Sequence, residues 1–330
     1  MIRKIKRQKT RALLLFSGGL DSILSAKILQ KQGIEVVGVV FESYFFDSQK
    51  ARQVAKDNGI KIIIKNIALE HLEKVRRPLF GYGKGLNPCL DCHLLMLQEA
   101  KKIFEKEKFD ILATGEVLGQ RPFSQNRQAL EKLEKEAKLV KKILRPLSAQ
   151  KLPPTIYEER GLVDRKKLFS IAGRSRKIQL ELAKKLKVKS FPSPAGGCIL
   201  TEIGFSQKLK NLLAIKKNNF TQKDFELLKL GRHFWKNKIQ IILGKNKEEN
   251  ERLVQLASSR DIILERKDKL GPTALIRVTS GKLPSQIRSA ERIAQKLIWE
   301  YSKKNKPADF FQLPVEKKKK SNFQKSHLLK

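Results

Sequence analysis

Two sets of residues in this chain have types and spacings that do chemistry. The first is Ser17-Gly18-Gly19-Leu20-Asp21-Ser22. Adjacent glycines carry no Cβ, so backbone N–H groups there can approach an anion closely. A helix opening at the same point adds unpaired N–H groups and a partial positive charge, which suits phosphate. Ser17 and Ser22 offer hydroxyls. Asp21 repels a phosphate unless a cation lies between them, which makes it the candidate magnesium ligand. Gly-Gly alone is an ordinary turn; the six-residue string is far more specific. It lacks the Gly-Lys-Ser/Thr of the ATPase phosphate loop. The second set is the whole cysteine inventory, Cys89, Cys92 and Cys198.

Cys89 and Cys92 open a helical stretch, and Cys198 follows Ser193-Pro194-Ala195-Gly196-Gly197. Both segments are rich in Pro and Gly, so neither reads as packed core. A CxxC redox pair lacks its usual context. Structural zinc needs four ligands, and His93, the available fourth, adjoins Cys92 awkwardly. Inert buried thiols are the plain alternative. Two catalytic readings remain. Three thiolates hold a 4Fe–4S cluster with one iron open to sulfide, or one cysteine carries a persulfide that another resolves. The cluster is the preferred reading.

The elements that must position these residues follow from periodicity. Leu13 to Phe16 is a short buried strand, and Ser22 to Lys31 reads as a helix. Ile34–Phe41, Ile60–Ile67 and Asp110–Thr114 read as further strands, and Lys142–Pro146 as a fifth. Helices are expected over Ser48–Asn58, His71–Arg77, Cys89–Lys106, Asn126–Lys142 and Ser175–Leu186, and one beginning at Asp164–Lys167. Strands alternating with helices predict an α/β fold, a Rossmann-like parallel sheet with helices on both faces. Ligands of such sheets bind outside the carboxyl ends of the strands. Ser17, Phe41 and Gly115-Glu116 fall there. Phe41 is placed to pack against a base or to join the core. Backbone groups at Gly115 suit an adenine edge, and Glu116 suits the metal.

The 330 residues carry 71 Lys+Arg against 33 Asp+Glu, a net charge of +38. Such a field attracts polyanions, with nucleic acid the default. No apolar run approaches a membrane span, and Met1–Arg11 is a basic arm lacking the apolar core of a signal peptide. Three cysteines do not make a disulfide framework. A cytoplasmic protein with no membrane partner is expected.

Ser17–Ser22 resembles the PP-loop of the N-type ATP pyrophosphatases. Thr114-Gly115-Glu116-Val117-Leu118-Gly119-Gln120, with Ser124-Gln125, is similar to the matching segment of the tRNA 4-thiouridine synthetases. Asn87-Pro88-Cys89 and Ser193–Cys198 resemble the two cysteine segments of the tRNA 2-thiouridylases, and the CxxC plus one distant cysteine resembles the cluster-dependent thiolation enzymes. The resemblance covers residues 12 to about 205. It implies ATP and Mg2+ as cofactors, with Ser17, Gly18, Gly19, Leu20, Asp21, Ser22, Phe41, Gly115, Glu116 and Gln120 at the nucleotide. It implies tRNA as substrate and a sulfur donor, sulfide or a persulfide carrier protein. A homodimer is one possible assembly, and the sequence leaves the oligomeric state open. The departures leave the target uridine open, since the 2-thiouridylases usually differ after the fourth strand and the 4-thiouridine synthetases carry an N-terminal RNA-binding domain.

A basic α+β domain is expected over 216–303, after a PP-loop domain at 12–215. Its strands are Ile239–Leu243, Asp261–Glu265 and Ala274–Val278, with a capped helix from Asn246 and a long one from Pro284. Arg288, Arg292 and Lys296 form a basic row at i, i+4 spacing. Ile242–Asn250 resembles RNA-binding domains of ribosome quality-control proteins. Residues 304–330 read as a disordered Lys-rich tail. Two other functions compete: a PP-loop amide-forming ligase acting on a small molecule, and a non-catalytic RNA-binding factor.

Overall fold

The computed structural model describes residues 9–193, 197–236, 238–267, 271–278, 284–302 and 310–313. They fall into two units, Met1–Ile203 and Gly204–Lys330.

The first unit begins β1 (Arg11–Leu15), α1 (Leu20–Lys31), β2 (Glu35–Glu42), α2 (Gln49–Asn58) and β3 (Lys61–Asn66). It continues through α3 (Ala68–Arg76), α4 (Cys89–Lys106), β4 (Ile111–Thr114), α5 (Arg127–Glu136), α6 (Ile156–Glu159) and α7 (Lys177–Lys185). The sheet order is β3-β2-β1-β4, and every pairing is parallel. β1 is central because its residues are apolar on both faces. Ala12 and Leu14 join a core with α1 and α2, while Leu13 joins another with α4 and α5. The order reverses beside β1, so a crevice opens between the carboxyl ends of β1 and β4.

Three expectations change. Lys142–Pro146 is not a strand; Leu144 makes one isolated bridge to Ala113. Pro146 has no N–H for a ladder, and Arg145 turns inward to bond Glu116. The helix expected to reach Lys142 stops at Glu136, because Lys138 and Lys141 adopt positive φ of 55° and 58°. Asp164 opens only a single 3-10 turn over Arg165–Lys167.

The second unit holds α8 (Ile203–Ile215), α9 (Gln222–Leu228), β5 (Arg232–Lys236), β6 (Ile239–Leu243) and α10 (Lys247–Leu256). β7 (Ile262–Arg266), β8 (Ala274–Val278), α11 (Pro284–Glu300) and β9 (Phe310–Leu313) complete it. Its antiparallel sheet runs β5-β6-β8-β7-β9. Ile239, Ile241 and Leu243 face α11, while Ile242 packs toward α9 and α10. The boundary lies at residue 203 rather than 215, since Lys208 on α8 donates to the carbonyls of Leu228, Leu230 and Gly231. The expected tail is corrected at Phe310–Leu313, an apolar run that extends the sheet beside β7. Met1–Gln8, 303–309 and 314–330, including Lys317–Lys320, lie outside the described residues. No described helix is long and apolar enough to cross a membrane.

Candidate active site

Ser17 to Ser22 turn from β1 into α1. Gly18 takes φ +74°, and a Cβ there would meet the Ala51 Cα at 2.8 Å. Gly19 caps α1 without a side-chain hydrogen bond, which leaves the first-turn N–H groups before Ser22 to a ligand, the Ser22 N–H donating to the Gly19 carbonyl. Ser17 Oγ accepts from Gly19 N at 3.3 Å and stays exposed. Ser22, expected as a free donor, is buried and donates to the Gly19 carbonyl at 2.8 Å. It pins the turn. Leu20 is core.

Asp21 sits at the start of α1. Gln120 Nε2 donates to its Oδ2 at 2.9 Å, while its Oδ1 is buried and unpartnered. Burial raises its pKa, against Gln120, Arg176, Gln179 and Arg121, which favour the charged form. A buried carboxylate oxygen with no donor fits a cation, so Asp21 suits the magnesium that such a cradle requires. Gly115 closes the crevice from the β4 side. A Cβ on it would stand 2.7 Å from the Ser22 Cα and N, so it holds β4 against the turn. Phe41 is corrected: it is buried in the core beside Leu13, Ile67 and Leu95, and no ligand face is left to it.

Glu116 is also corrected. It does not join Asp21 but turns to the cysteines. It accepts from Arg145 Nε at 3.0 Å and Thr114 Oγ1 at 3.0 Å, and meets His93 Nδ1 at 3.2 Å. Burial works against its charge, but Arg145 and His93 prevail and hold its pKa at about 2. Arg145 is itself buried and reaches Glu134 as well. Burial pulls His93 down, yet its hydrogen bonds to Cys89 and Glu116 carry it to about 10.

The segments that carry the three cysteines meet. Cys89 and Cys92 lie in the first turn of α4, whose N-terminus favours thiolate. Leu86 N donates to Leu200 O at 3.0 Å, tying their loop to the Cys198 segment. All three are free thiols of intermediate exposure. Burial raises Cys92, and so do Cys198 and Cys89 beside it. Burial likewise raises Cys198. Burial would raise Cys89 too, but hydrogen bonds from His93 and Ser124 with the charge of Arg121 bring it below its usual value. Asp91, between the pair, is fully buried and accepts from Leu79 N at 2.7 Å and Phe80 N at 3.0 Å. Three thiols match an iron–sulfur cluster in kind. No group of three or more His, Cys, Asp and Glu among the described residues is arranged to hold a metal ion.

Sequence reasoning missed His93 as a partner of Cys89, and missed Arg145, Arg176 and Gln179. Only the adjacency of His93 to the CxxC hinted at the first. The others lie outside every recognised motif, and nothing in their spacing marks them.

Comparison with known proteins fits this geometry. Residues 8–152 match the family model described as "Thiamine biosynthesis protein (ThiI)". Residues 231–328 match "NFACT protein RNA binding domain". A probable tRNA sulfurtransferase of Finegoldia magna is 34% identical over 143 residues, 42% of this chain and 36% of that protein. A tRNA-specific 2-thiouridylase of Bacteroides fragilis is 30% identical over 34% of this chain and 32% of its own length. The corresponding enzyme of Stutzerimonas stutzeri is 28% identical over 68% and 61%. The chain thus spans about a third of the first two relatives. Among solved structures, a 4-thiouridine synthetase–RNA complex with bound ATP shares 21% identity at a TM-score of 0.34, covering 54% of this chain and 52% of that one. Residues 8–152 of the first unit are thus similar to the PP-loop domain of the ThiI family.

Proposed function

We propose that the protein is an ATP-dependent tRNA sulfurtransferase. The observation that carries this reading is a single turn that touches both half-sites. Gln120 is bonded to Asp21 of the nucleotide cradle, and four residues on, Ser124 is near enough to Cys89 to help draw its thiol pKa down. The Arg121 charge between them acts on Asp21, Cys89 and Cys198 alike. A phosphate cradle and a thiol centre so linked suit one reaction, in which a base is activated by ATP and then meets sulfur.

In this reading the α1 N-terminus and the glycine turn grip the pyrophosphate of ATP. Asp21 holds magnesium, whose charge offsets that gathering on the departing pyrophosphate. The uridine carbonyl oxygen attacks the α-phosphate, and pyrophosphate leaves. Sulfur from the Cys89, Cys92 and Cys198 centre then attacks the activated carbon, and AMP carries the oxygen away. The uridine must be unstacked to enter. The basic second unit, which matches an RNA-binding domain, supports tRNA as the substrate.

The lowered pKa of Cys89 beside His93 favours a persulfide on Cys89 as the second form of the sulfur centre. There the terminal sulfur attacks carbon. A neighbouring thiolate then attacks the Cys89 sulfur, forming a disulfide and freeing the thiolated base, and a dithiol reductant restores both thiols. Oxygen-free purification with iron and acid-labile sulfide analysis separates the forms. About four of each per chain, lost in Cys89→Ala, supports the cluster. Their absence, with thiolation retained, supports the persulfide. Pyrophosphate exchange and mass spectrometry of tRNA nucleosides test the function itself. Exchange that ignores tRNA points to the ligase, and no exchange points to a binding protein.

A further inference from the structure

Helix α7 places two side chains beside Asp21 that no role above uses. Gln179 is 0% exposed, and both its amide oxygen and its amide nitrogen lack partners. Turning the amide over changes nothing, since either way a donor and an acceptor stay unmatched. Gln179 acts on the Asp21 carboxylate as a nearby donor does, although no hydrogen bond between them is formed in full. Gln120 donates to Asp21 Oδ2, which leaves Gln120 Oε1 buried and unpartnered. Asp21 Oδ1 is in the same state.

Three oxygens from three separate segments are therefore buried without donors around one carboxylate. A folded protein seldom leaves such groups unmatched unless a ligand supplies the match. Hard cations take carboxylate and amide oxygens together, with phosphate and water filling the remaining positions. Arg176, the residue that caps α7, adds a guanidinium whose Nε is also buried and unpartnered. A guanidinium fits phosphate oxygens.

We propose that Gln120 and Gln179 join Asp21 as oxygen ligands of a Mg2+ ion bound with pyrophosphate, and that Arg176 pairs with that pyrophosphate. This rests on the nucleotide reading above. It adds α7 as the far wall of the site and makes Gln179 a metal ligand rather than a packing residue.

The test uses the full chain, Mn2+ as the spectroscopic substitute for Mg2+, and the α,β-methylene analogue of ATP, which cannot release pyrophosphate. Electron paramagnetic resonance counts free Mn2+ during titration. Gln179→Leu keeps volume and removes the ligand, and it should weaken Mn2+ retention with the analogue at least tenfold. Gln179→Glu restores an oxygen donor and should bind Mn2+ as tightly as wild type or tighter. Arg176→Ala should weaken binding of inorganic pyrophosphate about tenfold. Should Gln179→Leu fail to fold, the glutamate variant decides: Mn2+ affinity below wild type overturns the assignment. Folded variants at Gln179 with unchanged affinity overturn it too. A wild-type protein that retains no Mn2+ with the analogue overturns the nucleotide reading first, and this proposal with it.

Discussion

Gly115 has no room for a methyl group, because backbone atoms of Ser22 lie 2.7 Å from where its Cβ would stand. No flexible side chain is there to yield. Gly115→Ala should cost about 1–3 kcal/mol in stability and shift the start of α1. Pyrophosphate exchange should fall more than tenfold while thermal unfolding stays cooperative. Glu116 is a different kind of position, a buried charge between Arg145 and His93. Glu116→Gln leaves Arg145 short of one counter-charge, and breaking such a pair costs roughly 3–5 kcal/mol. Urea titration would register that loss. It should also slow alkylation of Cys89 in metal-free protein, because His93 loses the carboxylate that holds it.

At the scale of elements, α3 carries His71 fully buried, with both ring nitrogens unpartnered and the Phe45 and Phe46 rings against it. Burial pushes its pKa down to about 4. The folded form therefore keeps the imidazole neutral while the unfolded chain takes up a proton below about pH 6.5. The stability held above pH 6.5 is lost as pH falls toward 4, by at most roughly 3 kcal/mol. Denaturant unfolding from pH 7 to 4 should show that slope, and His71→Leu should flatten it. His233 on β5, pushed down to about 3 by burial, adds a slope of the same sign in the second unit.

Elements also divide what was legible in the sequence from what was not. The four parallel strands and the glycine turn were readable because each is a local apolar run or a local string. A meeting of the cysteine segments was expected from the flanking Pro and Gly, and the Leu86–Leu200 bond ties the CxxC loop to the stretch after Cys198. The side on which Glu116 points was not readable. It depends on Arg145 arriving from a segment that looked like a strand. β5, with Arg, His and Lys among its five residues and Phe234 beside Trp235, gave no alternating signal, and it pairs antiparallel with β6.

For the whole molecule, a net charge of +38 sets the terms of any encounter with RNA. Each phosphate neutralised releases counterions, so affinity for tRNA should fall as a power of salt. The exposed row Arg288, Arg292 and Lys296 on α11 is the place to test this. Replacing all three with Gln should lower the slope of log K against log salt by about 2–3. ATP–pyrophosphate exchange should be unaffected. The second unit also relies on a buried cation. Arg277 binds Asp261 through Nε at 2.9 Å and Asp224 through Nη1 at 3.3 Å. Arg277→Ala should destabilise that unit by roughly 3–5 kcal/mol, visible as an earlier transition in calorimetry.

The tie between the CxxC loop and the Cys198 segment has a consequence for handling the protein. In air, a bond between the Cys89 and Cys198 sulfurs would close a ring of about 110 residues, and a ring of that size is worth about 4–5 kcal/mol through the unfolded chain. Oxidised material would then melt at a higher temperature than reduced material while keeping Cys92 as its one free thiol. A preparation ranked by heat resistance would be ranked backwards, and adding a reductant should lower the melting point as it restores the free thiols.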